Sequence, residues 1–381
     1  MVYNGLEIRT YGEFTSCCIT SKKYEDENGR RYNVETDDIS TVWNSDDRKE
    51  FVENFDDYFE SHCKHCYEIE KGGGESKRLR EIKYWELEYA PDPIPMMDGN
   101  TLEMLDLKMG NTCNLACAMC APDSSSKWAS VYKELGIKAA KVEQWQETDK
   151  FWDQLSDISG NVRKIELAGG EPFMIKKQEK LLKFLVESGQ SKDVDITWIT
   201  NCTFWPEKLV KYFTEFKMVR IMLSLDNTDE QFEYIRYPAK WKPTFDIFLK
   251  FKELRDAGII EMGISHSVGM LNAWWLPEFH QWAKEHKVNV YNNLILYPIG
   301  ARELPQEFKQ RLFEKISNHT QTEYQLNPIV GDDNWFTNYF MEESNDTELA
   351  RTRDYINNIL IPSRRDMDFY TAFPELKGYE L

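Results

Sequence analysis

The sequence predicts an α/β fold in which parallel strands alternate with helices. Between residues 101 and 298, short segments with strand-like patterns are separated by segments with helical periodicity, and this order is typical of parallel βα units. In addition, each conspicuous polar or sulfur motif in this region follows the end of a predicted strand, where active sites of such folds lie. The predicted strands cover residues 102–109, 163–168, 193–200, 218–225, 260–268 and 288–297.

The segments on either side of this region predict two further parts of the chain. The 381 residues are enough for two or three packed domains. Residues 90–95 place proline at alternate positions, which favours an extended connector. We therefore predict an N-terminal module over 1–95, an α/β domain over 101–299 and a helical cap over 300–381, where helical periodicity recurs.

Three cysteines lie within eight residues directly after the first predicted strand. Cys113, Cys117 and Cys120 have the spacing C-x3-C-x2-C. Thiolates are the usual ligands of iron-sulfur clusters, and three of them leave one iron of a four-iron cubane open to a ligand that is not protein. The alternatives are a zinc site or a disulfide pair. Zinc normally closes its shell with a fourth Cys or His, and the next histidine in the chain is His266.

With this loop the chain resembles the radical S-adenosylmethionine (SAM) superfamily, whose signature is C-x3-C-x2-C after the first strand of a barrel. The resemblance implies a partial (β/α)6 TIM-type barrel and a [4Fe-4S] cluster whose open iron binds SAM. It further implies reductive cleavage of SAM to a 5′-deoxyadenosyl radical, with electrons from a flavodoxin or ferredoxin-type donor. The residue before the third cysteine is aromatic in many members, and here it is Met119.

A glycine-rich turn after the second strand strengthens the resemblance. Residues 169–172 read Gly-Gly-Glu-Pro and match the GGEP motif of the superfamily. Two successive glycines let the backbone approach a small ligand closely. The resemblance implies that Gly169 and Gly170 contact the SAM ammonium group, with Glu171 nearby. The alternative is an ordinary strand-to-helix turn with proline at the first helical position.

The third and fourth strands are followed by further residues that the resemblance assigns to the cofactor. Asn201 lies in a segment similar to the TNGT motif and is predicted to bond SAM; a turn asparagine is the alternative. Ser224 and Asp226, in an S-x-D pattern, are predicted to meet the ribose or the substrate. Arg236 is predicted to pair with the SAM carboxylate, because its planar fork matches a carboxylate bidentately; a surface arginine is the alternative.

Four more residues complete the predictions for this domain. By the same resemblance, Val268 and Asn272 after the fifth strand are assigned to the cofactor site, whereas His266 is expected in the core or the substrate pocket. Cys202 occupies the glycine position of the TNGT-like segment. An isolated cysteine is usually a buried small hydrophobe, but its place at the barrel mouth makes it a candidate catalytic hydrogen-atom donor.

The N-terminal module carries a second set of four cysteines, Cys17, Cys18, Cys63 and Cys66. An adjacent pair followed by C-x2-C suits an iron-sulfur or zinc site. Together with the Gly-Gly-Glu-Ser-Lys-Arg run at 73–78, these cysteines resemble the twitch or SPASM modules that are fused to radical SAM enzymes. The resemblance implies an auxiliary [4Fe-4S] cluster. Whether both members of the adjacent pair ligate iron, and whether zinc is bound instead, stays open.

Composition limits the class of partner. A formal net charge of −18 argues against a free-standing binder of nucleic acids or anionic membranes, because those need clustered cations; a local basic pocket is the alternative. No apolar run approaches membrane-spanning length, and the first residues lack a secretion-signal pattern. We therefore expect a cytoplasmic protein, in which cysteines bind metal rather than pair as disulfides.

The predicted function is hydrogen-atom abstraction from a substrate by a SAM-derived radical. A peptide or protein side chain is the leading substrate, because relatives with an auxiliary cluster often modify peptides. The first alternative is a dehydrogenase or epimerase of a sugar or other small metabolite. The second, from another class, is a non-catalytic iron-sulfur electron carrier or assembly partner, which would not need the GGEP motif or Arg236.

Overall fold

The computed structural model describes residues 3–90, 101–139, 141–142, 144–158, 160–295, 297–320, 341, 344, 346–364 and 366–379. The proline-rich connector predicted over 90–95 lies outside this part of the chain, apart from Ala90. No helix in the described ranges is long and apolar enough to cross a membrane.

Eight strands form a mostly parallel sheet with the order β2-β1-β3-β4-β5-β6-β7-β8. The pair β1/β2 is antiparallel, whereas β1/β3, β3/β4, β4/β5 and β7/β8 are parallel. This open sheet confirms the predicted fold class, an α/β architecture of the partial-barrel type. The strands are β1 Gly5–Ile8, β2 Phe14–Thr15, β3 Met104–Lys108, β4 Lys164–Ala168, β5 Asp195–Thr200, β6 Met218–Leu223, β7 Glu261–Val268 and β8 Asn289–Leu294.

Helices connect the strands and dominate the C-terminal part, as predicted. Ser76 and Ser125 begin two of them as N-caps, each accepting a hydrogen bond from a backbone N–H of the first turn. Among the described residues the α-helices are α1 Ile39–Trp43, α2 Asp46–Glu53, α3 Phe55–His62, α4 Lys64–Lys71, α5 Lys77–Tyr89, α6 Ser126–Glu134, α7 Leu155–Ile158, α8 Gln178–Glu187, α9 Asp229–Ile235, α10 Trp241–Asp256, α11 Leu276–Glu285, α12 Gln306–Thr320, α13 Asp346–Tyr355, α14 Ile361–Ser363 and α15 Phe369–Ala372.

The chain divides into two compact units. Unit 1 comprises residues 1–112, 141–199 and 206–220, and unit 2 comprises residues 113–140, 200–205 and 221–381. In unit 1, strands β1 and β3 are almost wholly buried. In unit 2, residues of the C-terminal helices, including Phe308 and Tyr355, share an apolar core with Tyr234 and Val268. The three predicted domain boundaries stay a prediction, since this division follows contacts rather than chain order.

Candidate active site

The cysteine loop of unit 2 is held by side chains of the helix that follows it. The hydroxyl of Ser125, the N-cap of α6, donates to the carbonyl of Leu115. The indole Nε1 of Trp128 donates to the carbonyl of Cys117 at 2.8 Å. Trp128 is fully buried, so this bond is shielded from water. The loop conformation is therefore fixed by polar contacts from α6.

Two residues from the C-terminal helices complete this set of bonds. Arg364 donates from Nη2 to the carbonyl of Ala116 at 2.6 Å and from Nε to the carbonyl of Tyr234 at 3.0 Å. The hydroxyl of Tyr355 donates to the carbonyl of Ala118 at 2.7 Å. The four consecutive carbonyls from 115 to 118 thus all have side-chain donors. A loop whose backbone is held this way can present its thiols in one arrangement.

The thiols of the loop interact with one another. Cys117 and Cys120 are hydrogen bonded, and this bond, aided by Arg236, lowers the pKa of Cys117 to about 7 although burial opposes it. The same hydrogen bond, followed by burial, raises the pKa of Cys120. Cys113 is near enough to act electrostatically on Cys120. The donor set suits a cubane, because thiolates are the cluster ligands and each binds a different iron.

Within the described residues, no group of three or more His, Cys, Asp or Glu side chains is arranged to hold a metal ion. Assignment of Cys113, Cys117 and Cys120 as iron ligands therefore stays a prediction from the motif.

Asn201 contacts the cysteine loop directly. Its amide Nδ2 donates to Oδ1 of Asn114 at 2.9 Å and lies 3.8 Å from Sγ of Cys113. Its Oδ1 accepts the backbone N–H of Thr203 at 3.0 Å. The predicted cofactor asparagine is thus brought next to the first predicted iron ligand. Its contact with SAM stays a prediction.

Cys202 has a left-handed backbone conformation with a φ of 63°. Glycine adopts this conformation readily, which explains why glycine is usual at this position of the motif, and a side chain there costs roughly 1–2 kcal/mol. The thiol is fully buried and lies 3.8 Å from the carbonyl of Thr244. These features suit a buried small hydrophobe, and the role of hydrogen-atom donor stays an untested prediction.

Arg236 and Asp226 form a buried ion pair. Nη2 of Arg236 lies 2.7 Å from Oδ2 of Asp226, and the two side chains are 7% and 0% exposed. Nη1 of Arg236 lies 3.7 Å from Sγ of Cys117, and Nε, although buried, makes no hydrogen bond. Arg236 is therefore a residue of the interior next to the cysteine loop, and the surface alternative is wrong.

Polar groups on β7, on β8 and in the segment between these strands form a hydrogen-bond network around Asp226. Its Oδ1 accepts the backbone N–H of Ser267 at 2.8 Å. Asn272 donates to the carbonyl of Asp226 at 3.0 Å and contacts Nε2 of His266 at 3.0 Å. On its other edge, Nδ1 of His266 meets Oδ1 of Asn292 at 3.0 Å. Asn272 and Asp226 thus orient the buried arginine, and their predicted contacts with SAM stay untested.

The neutral form of His266 is part of this network, and we predict a matching pH dependence of stability. Burial, together with His280, lowers the pKa of His266 from 6.5 to about 3. A histidine with a lower pKa in the folded state binds more protons when unfolded, so stability falls as the pH falls below 6.5. Between pH 7 and pH 5 the wild type should lose about 2 kcal/mol more than His266→Gln, which cannot titrate.

Urea unfolding of both proteins at pH 7 and pH 5 measures this difference in the free energy of unfolding. The contributions of the other titrating groups are the same in both proteins and cancel in the comparison. Equal losses in the two proteins would show that His266 is protonated without cost in the folded state.

The GGEP turn lies in unit 1, directly after β4. A Cβ on Gly170 would stand 2.3 Å from the carbonyl oxygen of Thr112, and one on Gly169 would stand 2.7 Å from the backbone nitrogen of Met109. Both glycines have positive φ values of 51° and 86°, so glycine is required by conformation and by space. Glu171 is fully buried, and its backbone N–H donates to Thr112 at 2.8 Å.

Glu171 also accepts the N–H of Phe173 at 3.1 Å, as the N-cap of a short 3-10 helix over Pro172–Met174. The turn therefore has the structure of the stated alternative, a strand-to-helix turn with proline at the first helical position. Ser224, just beyond β6, bonds through its backbone N–H to the carbonyl of Thr200 at 2.8 Å. Val268 ends β7 and is fully buried. The cofactor contacts predicted for the turn, Ser224 and Val268 stay untested.

In unit 1 the two pairs of N-terminal cysteines are joined through Thr20. Its hydroxyl lies 3.9 Å from Sγ of Cys63 and donates to the carbonyl of His62 at 3.2 Å. Its backbone N–H donates to the carbonyl of Cys17 at 3.3 Å. Cys63, Cys66 and Cys17 are buried. Thr20 thus contacts both the Cys17-Cys18 segment and the start of α4, and the assignment of the four cysteines to one cluster stays a prediction.

The two adjacent cysteines differ in environment. A hydrogen bond between them lowers the pKa of Cys18, to about 6, and raises that of Cys17. Lys77 lowers the pKa of Cys18 further, and its Nζ lies 3.1 Å from Sγ of Cys18. Burial raises the pKa of Cys63. Cys18 therefore lies beside a lysine, whose positive charge suits an anionic iron-sulfur centre.

Comparisons with known proteins agree with these two sites. The family model "Radical SAM superfamily" matches residues 107–298, and the model for SPASM, an iron-sulfur cluster-binding domain, matches residues 1–67. Two curated relatives are GTP 3',8-cyclases. That of Campylobacter curvus is 25% identical over 42% of this chain and 45% of its own length. That of Aquifex aeolicus is 25% identical over 40% of this chain and 45% of its own length.

The solved structures that resemble the chain include "Native anSMEcpe with bound AdoMet", at 18% identity and a TM-score of 0.40, covering 58% of this chain and 61% of that one. The same protein "with bound AdoMet and Cp18Cys peptide" matches at 17% identity with a TM-score of 0.40 and the same coverage. The matched segment spans less than half the length of the curated relatives.

The chain belongs to the radical SAM superfamily, because the family model covers half of its 381 residues. Membership implies SAM and a [4Fe-4S] cluster as cofactors, and the SPASM match indicates an auxiliary iron-sulfur cluster. The chain thus combines a radical SAM domain with a SPASM domain that precedes it in the sequence.

Several residues of these sites were not predicted from the sequence. Trp128, Tyr355 and Arg364 hold the cysteine loop, and Lys77 contacts Cys18. Only Lys77 had a sequence signal, since it lies in the Gly-Gly-Glu-Ser-Lys-Arg run that resembles the SPASM modules.

Proposed function

We propose that this radical SAM enzyme generates a 5′-deoxyadenosyl radical at Cys113, Cys117 and Cys120 and abstracts a hydrogen atom from a peptide or protein side chain. The observation that carries the proposal is the position of Arg236, whose Nη1 lies 3.7 Å from Sγ of Cys117, next to a loop with the cysteine spacing of the superfamily. When bound, the cluster supplies the electron that cleaves SAM.

The residues around the loop have separate tasks in this proposal. Asn201 restrains the loop at Cys113 through its contacts with Asn114 and the thiol. Arg236 offers its unbonded Nε–H to the carboxylate of SAM, while Nη2 stays on Asp226. A guanidinium can serve both anions because its five N–H groups point in fixed directions. The buried surroundings exclude water and strengthen both contacts.

The proposed substrate class rests on the auxiliary domain and on charge. A SPASM match over residues 1–67 adds a second iron-sulfur centre, the feature of relatives that modify peptides. The net charge of −18 disfavours the approach of polyphosphate substrates and favours that of basic peptides. The cofactor carries the hard chemistry, so the chain selects the reaction by placing a substrate carbon near C5′ of the adenosyl group.

A small metabolite is the second candidate, because curated relatives are named GTP 3',8-cyclase. The two candidates are distinguished by which compound stimulates the formation of 5′-deoxyadenosine in the reconstituted enzyme. We expect that a mixture of small peptides stimulates the formation of 5′-deoxyadenosine and that GTP does not. Stimulation by GTP alone would reject the peptide proposal while leaving the radical chemistry intact.

Replacing Cys63 and Cys66 by Ala should spare reductive cleavage of SAM and abolish formation of product. The loop over 113–120 binds SAM without these residues, whereas the auxiliary centre serves electron transfer, substrate binding or scaffolding. Chromatographic measurement of 5′-deoxyadenosine and of modified substrate in one reaction checks both outcomes.

Cys202→Ala is the control for iron content in this experiment. It removes one buried cysteine from outside both predicted ligand sets, so its iron content should equal that of the wild type. Normal product formation by the Cys63 and Cys66 variant would show that the auxiliary site is dispensable and that its proposed role is wrong.

A further inference from the structure

Lys77 connects the auxiliary cysteines with the sheet of unit 1. It is the first residue of α5, directly after the N-cap Ser76. Its Nζ lies 3.1 Å from Sγ of Cys18, 3.3 Å from Oε2 of Glu166 and 3.8 Å from Oδ2 of Asp106. The side chain is only 20% exposed. One ammonium group therefore contacts a thiol on one side and two carboxylates on the other.

The carboxylates that hold Lys77 are themselves fixed. Asp106 on β3 and Glu166 on β4 are direct neighbours in the parallel register, so both side chains lie on one face of the sheet. Lys108 binds Asp106 at 2.9 Å, and Lys164 lies 3.2 Å from Glu166. These buried pairs leave little freedom for the carboxylates to move, and they hold the ammonium of Lys77 against the sulfur.

The carboxylates also keep Lys77 charged. Oε2 of Glu166 lies 3.3 Å and Oδ2 of Asp106 lies 3.8 Å from the ammonium nitrogen of Lys77. A partly buried ammonium group next to two carboxylates is compensated in charge, and so are the carboxylates. The Lys77 ammonium and the carboxylates thus compensate each other's charge. The hydrogen bond to Cys18 therefore comes from a charged donor.

We propose that Lys77 is a positioning residue that donates a hydrogen bond to the sulfur of Cys18 and thereby raises the reduction potential of the auxiliary iron-sulfur cluster. The inference rests on the proposed function, in which the SPASM domain adds an auxiliary cluster, and on the prediction that Cys18 is one of its ligands. Hydrogen bonds to the sulfurs and the local charge are among the factors that set cluster potentials. Reduction adds one electron and one negative charge, and a fixed ammonium stabilises that charge.

The test is a redox titration of the auxiliary cluster followed by electron paramagnetic resonance. The full chain with Cys113, Cys117 and Cys120 replaced by Ala serves as background, so that the auxiliary cluster gives the only signal. In this background Lys77→Met should favour the oxidised cluster by about tenfold, a fall of about 59 mV for one electron. Lys77→Arg, which keeps a charged donor, should recover most of this shift.

Lys83→Met is the matched control. Lys83 lies on the same helix and forms an exposed ion pair with Glu75, so its loss should leave the potential unchanged. Lys77→Gln provides a second measurement, because a neutral donor should give a shift between those of Met and Arg. Loss of the cluster from the Met and Gln variants, but not from Lys77→Arg or Lys83→Met, would also support the contact.

A potential in Lys77→Met and Lys77→Gln equal to that of the background protein, with the cluster intact, would overturn the proposal. Absence of auxiliary iron from the background protein itself is a different result. It would reject the ligand assignment on which the proposed function rests, and it would be seen before any lysine is changed.

Discussion

Replacement of Cys113, Cys117 and Cys120 together by Ala should abolish the reductive cleavage of SAM. The three thiolates are the only protein ligands that the superfamily signature provides for the SAM-binding cluster, and no cluster means no electron at the sulfonium. With dithionite as the reductant under anaerobic conditions, 5′-deoxyadenosine should fall to the level of a reaction without enzyme. This is the largest effect that we expect from any substitution in the chain.

The folded state should survive this change well enough to interpret it. The loop is held through its backbone carbonyls by Ser125, Trp128, Tyr355 and Arg364, and none of these bonds uses a thiol. Circular dichroism should therefore show native helix content in the variant. Cleavage of SAM at the wild-type rate by a correctly folded variant would show that the cluster is held elsewhere.

Substitution of Arg236 by Lys should weaken SAM binding about tenfold to hundredfold, because one charge-assisted hydrogen bond is worth about 1.5–3 kcal/mol. A lysine retains a positive charge beside Asp226, so the buried carboxylate stays compensated. Arg236→Ala, in contrast, would leave that carboxylate without a counter-ion and cost about 3–5 kcal/mol of stability. Titration of the reduced cluster with SAM, followed by its resonance signal, measures the affinity of the lysine variant.

Arg255→Lys provides the control, since Arg255 on α10 pairs with Asp256 and donates to the carbonyls of His286 and Lys287, none of which is a predicted cofactor residue. Its affinity for SAM should equal that of the wild type. Both variants should keep the iron-sulfur spectrum, because neither residue ligates iron. Unchanged SAM affinity in Arg236→Lys would limit Arg236 to a structural role at Asp226 and Cys117.

The parallel strands were predictable because each is a short patterned segment between helices. Every one of the six predicted strands occurs, and each is shorter than predicted, most clearly β3 and β8. Strands β1 and β2 were not predicted, since runs of four and two residues are too short for periodicity to detect. The place of β1 in the sheet depends on pairing with β3, about a hundred residues away in the chain, and β2 pairs with β1.

The candidate site was predictable where a local spacing carries the chemistry. The cysteine loop, the GGEP turn and the glycine-like position of Cys202 have such spacings, and the positive φ values of Gly170 and Cys202 explain two of them. The residues that hold the loop had no such signal. Tyr355 and Arg364 reach Ala118 and Ala116 across separations of 237 and 248 residues.

The contacts of buried charged side chains within each unit could not be predicted from the sequence either. Arg236 had a predicted partner in SAM, but its counter-ion within the protein is Asp226, which had been assigned to the ribose or the substrate. Lys77 lies 59 residues from the sulfur that it contacts. Such pairs depend on the register of the sheet and the packing of helices, which only the folded chain defines.

Metal analysis of the anaerobically reconstituted protein tests the central claim most directly. The wild type should contain about eight irons per chain, four for each of two cubane clusters, and the variant with Cys113, Cys117 and Cys120 replaced by Ala should contain about four. Stoichiometric zinc without iron in the wild type would contradict the account, because zinc can neither supply the electron nor leave the open iron that SAM requires.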